Sequence, residues 1–400
     1  MLTVRRGGIA DNLRVAIVHY WFANRRGGER VVEAIAELFP EADLFALIAD
    51  PEVMAPDLRR RKITTSFLSK LPGSPRLRRY LLPLYPYALE QFDLRGYDLV
   101  ISSESGPAKG VLTNSQTCHV CYCHSPMRYI WELYHEYQSE NGSGRMTRQA
   151  FALIAHYMRL WDVSTAHRVD HFIANSVNVA QRIWKNYRRY SDVVYPPVRV
   201  NVGPVTSRIG DHYLYVGQLV DYKRVDLAIE VCKKLKRRLR IVGDGEQFKR
   251  LRSIASPDIE FLGSLSDDDV RNEYASCRAL LFPGEEDFGI VPVEAQSFGR
   301  PVVAYGRGGA LETVVGILPG DRPTSDMTGV FSRGQDTDSF SEAIRTLEAL
   351  EGEFRPEIAQ RNASRFSSKT FREKMSELLE QKLETFHSGR VLPLQKVAAV

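Results

Sequence analysis

The sequence predicts an α/β protein built from two doubly wound domains, each with a parallel sheet buried on both faces. Three observations carry this reading. Short apolar runs rich in Val and Ile alternate with helical patterns, the signature of strand–helix–strand units. The alternation lapses at a polar stretch, 198–211, that carries Gly203, Pro204 and Gly210, and then restarts. At 400 residues the chain also exceeds what one ordinary core accommodates.

In the first half the strand candidates are 14–19, 43–48, 98–101, 117–123 and 171–174. Behind the first of them Val31, Ile35, Leu38 and Phe39 repeat at helical spacing, which puts them on one face. In the second half the strands are 213–216, 239–242, 258–261, 279–282 and 301–304, and Leu227, Ala228, Val231 and Leu235 form the apolar face of the first helix between them. Beyond 329–331 the pattern reads helical to about Phe386, and 391–400 reads as a tail. The domains are therefore expected at 1–205 and 206–370, with 371–400 left over. Open parallel sheets place ligands outside the carboxyl ends of their strands, so the chemistry is sought in strand-to-helix loops, with the site in a cleft where two such edges face each other.

Hydrophobic residues make up 44% and charged residues 26%, which excludes a disordered or fibrous chain. The opening MLTVRRGGIADNL lacks the apolar segment of a secretory signal and no run of 18 apolar residues follows, so a cytoplasmic location is expected. Five cysteines, an odd number, make no disulfide framework. The net charge of +5 sits in the first half, where 26 Lys and Arg face 19 Asp and Glu. Arg59, Arg60, Arg61, Lys62, Lys70, Arg76, Arg78 and Arg79 occur without an acid among Phe67, Leu68, Tyr80, Leu81, Leu82, Leu84 and Tyr85. This mixture fits either an anionic membrane or acceptor, or a solvated face whose apolar residues point inward.

The most informative stretch is PGEEDFGIVPVEAQSFGRPVVA at 283–304. With Pro292 as the first helical residue, the N–H groups of Gly289, Ile290 and Val291 would surround a helix N-terminus suited to a diphosphate. Glu286 in the loop and Glu294 in the first turn can each accept two hydrogen bonds from a vicinal diol. Lys223 and Arg224 supply cations, Gly27 and Gly28 stand between the first strand and its helix, and His124 follows a strand. Cys118, Cys121, Cys123 and His124 resemble a zinc set, but strand alternation puts Cys118 and His124 on one face and Cys121 and Cys123 on the other. The run Asp267, Asp268, Asp269 behind Ser266 reads as a capped helix start, so no metal is expected.

EEDFGIVPVEA resembles the E-x7-E motif of retaining GT-B glycosyltransferases of family 4. Further segments match in the family's order: RRGGERV at 25–31, CHSPMRYIW at 123–131, VGQLVDYKRVDLAIE at 216–230, IVGDGEQ at 241–247, FLGSLSD at 261–267 and GGALETV at 308–314. YCHSPMRYIW together with YPPV at 195–198 is most similar to bacterial mannosyltransferases of O-antigen and exopolysaccharide synthesis.

The resemblance implies a GT-B fold, an acceptor in the basic first domain, and a nucleotide-diphosphate sugar, GDP-mannose by similarity, held chiefly by the second. It implies that Glu286 contacts the donor sugar, Glu294 the ribose and Lys223 the diphosphate. His124 meets the donor sugar, and Gly27, Gly28, Gly243, Phe288, Gly289, Ile290 and Val291 line the nucleotide sugar. Gln218 stands where the family has an arginine, with Arg224 as the replacement, and Arg128 is a candidate for the acceptor. No metal or other cofactor and no nucleic acid are implied. The acceptor is a glycan or a lipid-linked oligosaccharide, the 59–85 segment from Arg59 to Tyr85 offers contact with an anionic membrane, and residues 371–400 cross back to the first domain. An epimerase or a phosphorylase on the same fold, or a non-catalytic binding partner, are the alternative readings.

Overall fold

The computed structural model describes residues 13–389 apart from 26, 75–77, 141–143, 202 and 206–208. The chain divides into two compact units, one of residues 1–196 with 371–400 and the other of residues 197–370. The division lies at Pro196 rather than at 205 because Val198 already donates its N–H to Phe366 O, 2.9 Å, inside the second unit.

The first unit holds seven parallel strands: β1 (Val15–Phe22), β2 (Asp43–Ala49), β3 (Ile63–Thr65), β4 (Leu99–Glu104), β5 (Cys118–Cys123), β6 (His171–Ala174) and β7 (Ser191–Val193). Their spatial order is β3-β2-β1-β4-β5-β6-β7. Alternation along β1 sorts its side chains between two cores: Val15 and Ile17 enter one, Ala16 and Val18 the other. The short edge strands β3 and β7 escape sequence reading because three residues carry too little period. The helix Gly27–Leu38 buries Val31 and Ile35 as the spacing predicts, and Leu38 and Phe39 pack on the same core. The terminal helix Ser368–Gly389 buries Phe371, Met375, Leu379 and Leu383 in that core, a four-residue repeat that makes one face.

The second unit repeats the plan with β8 (His212–Val216), β9 (Arg238–Val242), β10 (Ile259–Gly263), β11 (Ala279–Phe282), β12 (Val302–Tyr305), β13 (Gly316–Ile317) and β14 (Gly329–Ser332). All are parallel, in the order β10-β9-β8-β11-β12-β14-β13. In both sheets the chain builds outward from its first strand on one side and then returns to the other. The switch points lie between β1 and β4 and between β8 and β11.

The five cysteines are free and buried. On β5, Cys118 lies in one core while Cys121 and Cys123 lie in another, as alternation requires. Among the described residues no group of three metal-ligating side chains gathers. Ser266 accepts from Asp269 N and caps the helix Asp267–Ser276. In the basic segment Arg61 donates to Ala36 O and Phe39 O, capping the end of the first helix, and Arg59 donates to Glu52 O and Met54 O. Arg76 lies outside the described residues, as do the side chains of Arg78 and Arg79.

Candidate active site

In the second unit the loops after β8 and β11 flank the switch point and bring Lys223 and Glu286 together. Lys223 closes a short 3-10 turn, Asp221–Lys223, and its Nζ lies 2.8 Å from Glu286 Oε1 with both side chains mostly buried. Burial pulls the ammonium pKa down, but the Glu286 carboxylate and the Tyr215 and Tyr222 hydroxyls outweigh it and raise it. Lys223 is therefore a fixed cation at neutral pH. Arg224 takes the left-handed conformation at φ 52° and is held by Asp226 and by Gln335 O. It neighbours Lys223 in sequence, and its guanidinium turns to Asp226 and Gln335 O.

Backbone packing explains the glycines. A Cβ on Gly243, at φ +136°, would stand 1.9 Å from Gly217 O, so the loops after β8 and β9 can cross only without a side chain. Gly309 N–H donates to Glu286 O at 2.8 Å, and a Cβ on Gly309 would fall 2.3 Å from the Phe288 backbone. The GG of 308–309 thus clamps the main chain that carries Glu286.

The helix that follows is Ile290–Ser297, with Gly289 as its N-cap at φ +91°. It begins two residues earlier than the sequence suggests, so Pro292 is the third helical residue and Glu294 lies in the second turn, its Oε2 accepting from Tyr274 OH at 2.9 Å. In either position the missing N–H of Pro292 costs no hydrogen bond, because the first four donors of a helix lack intrahelical partners. The main chain of Gly289, Ile290 and Val291 still forms a helix N-terminus next in sequence to Glu286. The Phe288 ring is buried, its centroid 5.4 Å from that of Phe366, and its main chain continues into the N-cap Gly289.

In the first unit a second cluster forms at the carboxyl ends of β1, β4 and β5. His124 Nε2 is hydrogen-bonded to Ser103 Oγ at 2.9 Å, and burial, then the neighbouring His19, push its pKa down to about 3, so it is neutral at physiological pH. Gly27 and Gly28 are the first residues of the helix rather than a loop before it, and a Cβ on Gly28 would touch Tyr20 Oη at 3.5 Å and His124 Nε2 at 3.6 Å. His124 and the glycine pair are thereby neighbours. Sequence reading missed His19, which is fully buried, bound through Nδ1 to Ser103 O at 3.0 Å and with Nε2 3.8 Å from Glu29 Oε1. A histidine within the otherwise apolar run of β1, shortly before the GGER glutamate, was the available signal. Arg128 lies on the turn after His124, where Leu133 N and Trp131 N donate to its carbonyl oxygen.

The two halves of the chain match known proteins separately. The model of Glycosyltransferase Family 4 matches residues 25–202, and that of Glycosyl transferases group 1 matches residues 210–365. An uncharacterized glycosyltransferase of Methanocaldococcus jannaschii is 29% identical over 153 residues, covering 36% of this chain and 43% of that protein. The GDP-mannose-dependent monoacylated alpha-(1-6)-phosphatidylinositol monomannoside mannosyltransferase of Corynebacterium glutamicum is 35% identical over 120 residues, 27% of this chain and 29% of that protein. The matched regions thus span less than half the length of these relatives. Among solved structures, Anabaena HepE in complex with UDP superposes with a TM-score of 0.65 at 18% identity, covering 92% of this chain and all of that one. Sucrose-phosphate synthase from Thermosynechococcus elongatus gives 0.65 at 15% identity over 94% of this chain and all of that one. The fold is the two-domain α/β GT-B architecture, and both halves are glycosyltransferase domains.

Proposed function

We propose that the protein is a retaining glycosyltransferase that transfers a hexose, mannose from GDP-mannose as the leading case, to a glycan or lipid-linked acceptor of cell-surface polysaccharide synthesis. The observation that carries this reading is the Lys223–Glu286 pair at the switch point of the second sheet, joined in sequence to a helix N-terminus. A diphosphate is the anion such a place suits, by charge and by backbone donors together.

In this reading the bond from the sugar C1 to the diphosphate oxygen breaks while the acceptor hydroxyl oxygen bonds C1 on the same face. The acceptor proton passes to the departing phosphate oxygen. Lys223 neutralises the charge that gathers on that oxygen, which is where a fixed cation lowers the barrier. Glu286 and Glu294 accept from hydroxyls of sugar and ribose, and the main chain of Gly289, Ile290 and Val291 donates to phosphate. Neutral His124, beside Gly28, contacts a sugar hydroxyl in this reading. No step calls for a metal, since Lys223 and the helix end supply the positive charge. Exposed Leu71, Tyr80 and Leu84 support peripheral contact with an anionic membrane on its cytoplasmic side, where a lipid-linked acceptor would be met.

A thermal-shift screen of GDP-mannose, UDP-glucose, their free diphosphates and inorganic phosphate tests the reading. A ligand at one hundred times its Kd stabilises the fold by about 2.7 kcal/mol, a readable rise in melting temperature. A response to inorganic phosphate with none to any nucleotide would replace the transferase with a phosphorylase.

A further inference from the structure

Beside the edge strand β3, away from the β1–β4 switch point, lies a groove of about 670 Å³ that the proposed reaction does not use. It runs from the carboxyl end of β3 along the helix Tyr85–Glu90. Its rim carries two exposed aromatic rings, Phe67 (40% exposed) and Tyr87 (60% exposed), with centroids 5.9 Å apart and planes inclined at 60°. Thr64, Thr65 and Gln91 line it further with hydroxyl and amide groups. The one charged group in the lining, Asp93, is neutralised by Arg95 through hydrogen bonds of 2.8 and 2.7 Å.

We infer that this groove is a carbohydrate subsite, a second binding place for sugar residues of the acceptor. The chemistry selects the ligand class. Open aromatic faces attract the C–H faces of a pyranose, and neutral hydroxyl and amide groups exchange hydrogen bonds with its hydroxyls. A phospholipid headgroup would seek cations, and the lining among the described residues contains no Lys or Arg. A peptide adding to the sheet would need a longer edge than the three residues of β3. Position agrees with the acceptor: β3 is separated from β5, which His124 follows, by β2, β1 and β4, so the groove starts four strand spacings, roughly 19 Å, from His124, a span that a chain of several sugar residues covers. A glycan whose terminal hydroxyl reaches His124 would lay its earlier residues toward β3.

This inference rests on the transferase reading, and the experiment separates the two. Saturation-transfer NMR and calorimetric titration of the full chain use α-1,2-, α-1,3- and α-1,6-mannobiose, mannotriose and cellotriose, with Phe67→Ala, Tyr87→Ala and Gln91→Ala as variants. Nucleotide-sugar hydrolysis without acceptor is measured in parallel. At least one oligosaccharide is expected to bind the wild type, with Kd raised about tenfold by loss of either ring, which corresponds to about 1.4 kcal/mol. Hydrolysis and melting temperature should stay at wild-type values, because both rings are solvent-exposed. Absence of binding by every probe, or binding that the three variants leave unchanged, overturns the subsite. Glycan binding with no nucleotide-sugar hydrolysis in the wild type keeps the subsite and removes the transferase.

Discussion

Replacing Lys223 by Ala tests the centre of the proposed site. At 2.8 Å, with an effective dielectric constant of 20, the gross attraction between Lys223 Nζ and Glu286 Oε1 is about 6 kcal/mol. Desolvation of both groups offsets much of this in the intact pair, but Lys223→Ala leaves the mostly buried Glu286 carboxylate uncompensated, so a stability loss of about 3 kcal/mol should accompany the change. In the transition state the balance differs, because the cation then faces a diphosphate gaining charge. Loss of one such fixed charge costs about 10²-fold or more in rate, about 2.7 kcal/mol of barrier. Glu286→Gln should also lower turnover, and the double variant should fall by less than the product of the two single losses, since each partner positions the other. The assay is release of nucleoside diphosphate with and without acceptor, alongside thermal unfolding. Turnover within a few-fold of wild type in folded Lys223→Ala would refute the reasoning, and a collapsed melting temperature would show the pair to be structural.

Four further outcomes are expected. Gly243→Ala should destabilise the second domain by more than about 1 kcal/mol, because the methyl group meets Gly217 O at 1.9 Å and φ is +136°; an unchanged denaturant midpoint would contradict the crossing. His119 is fully buried with its pKa pushed down to about 4, first by burial. The unfolded chain therefore binds the proton first, and this stability is present above the ordinary histidine range and is lost as pH falls from about 6.5 toward 4. Equilibrium unfolding from pH 8 to 4 should show that slope, flattened in His119→Gln. Turnover should survive EDTA, and a loss restored by manganese would overturn the metal-free proposal. Co-sedimentation should show salt-sensitive binding to anionic vesicles, lost when Arg76, Arg78 and Arg79 become Glu, with equal recovery on neutral vesicles counting against it.

The sequence by itself determined the two parallel sheets and most of their strands, because a strand buried on both faces leaves a run of Val and Ile that composition alone exposes. It also determined the segment of Glu286 and the one that positions Lys223, since glycines and charges crowd loops that follow such runs. What it could not determine were contacts that depend on which strands become neighbours. Lys223 and Glu286 lie far apart along the chain and meet only because β8 and β11 pair at the switch point. Strand neighbours likewise bring His19, Ser103 and His124 together from β1, β4 and the end of β5. Arg61 illustrates the reverse case: its charge advertises a surface role, and the fold uses it to satisfy two carbonyls at a helix end. Local patterns record burial and turn chemistry, because those act on each residue where it stands. Partners across a sheet are fixed by topology, and no residue carries its partner's address in its own spacing.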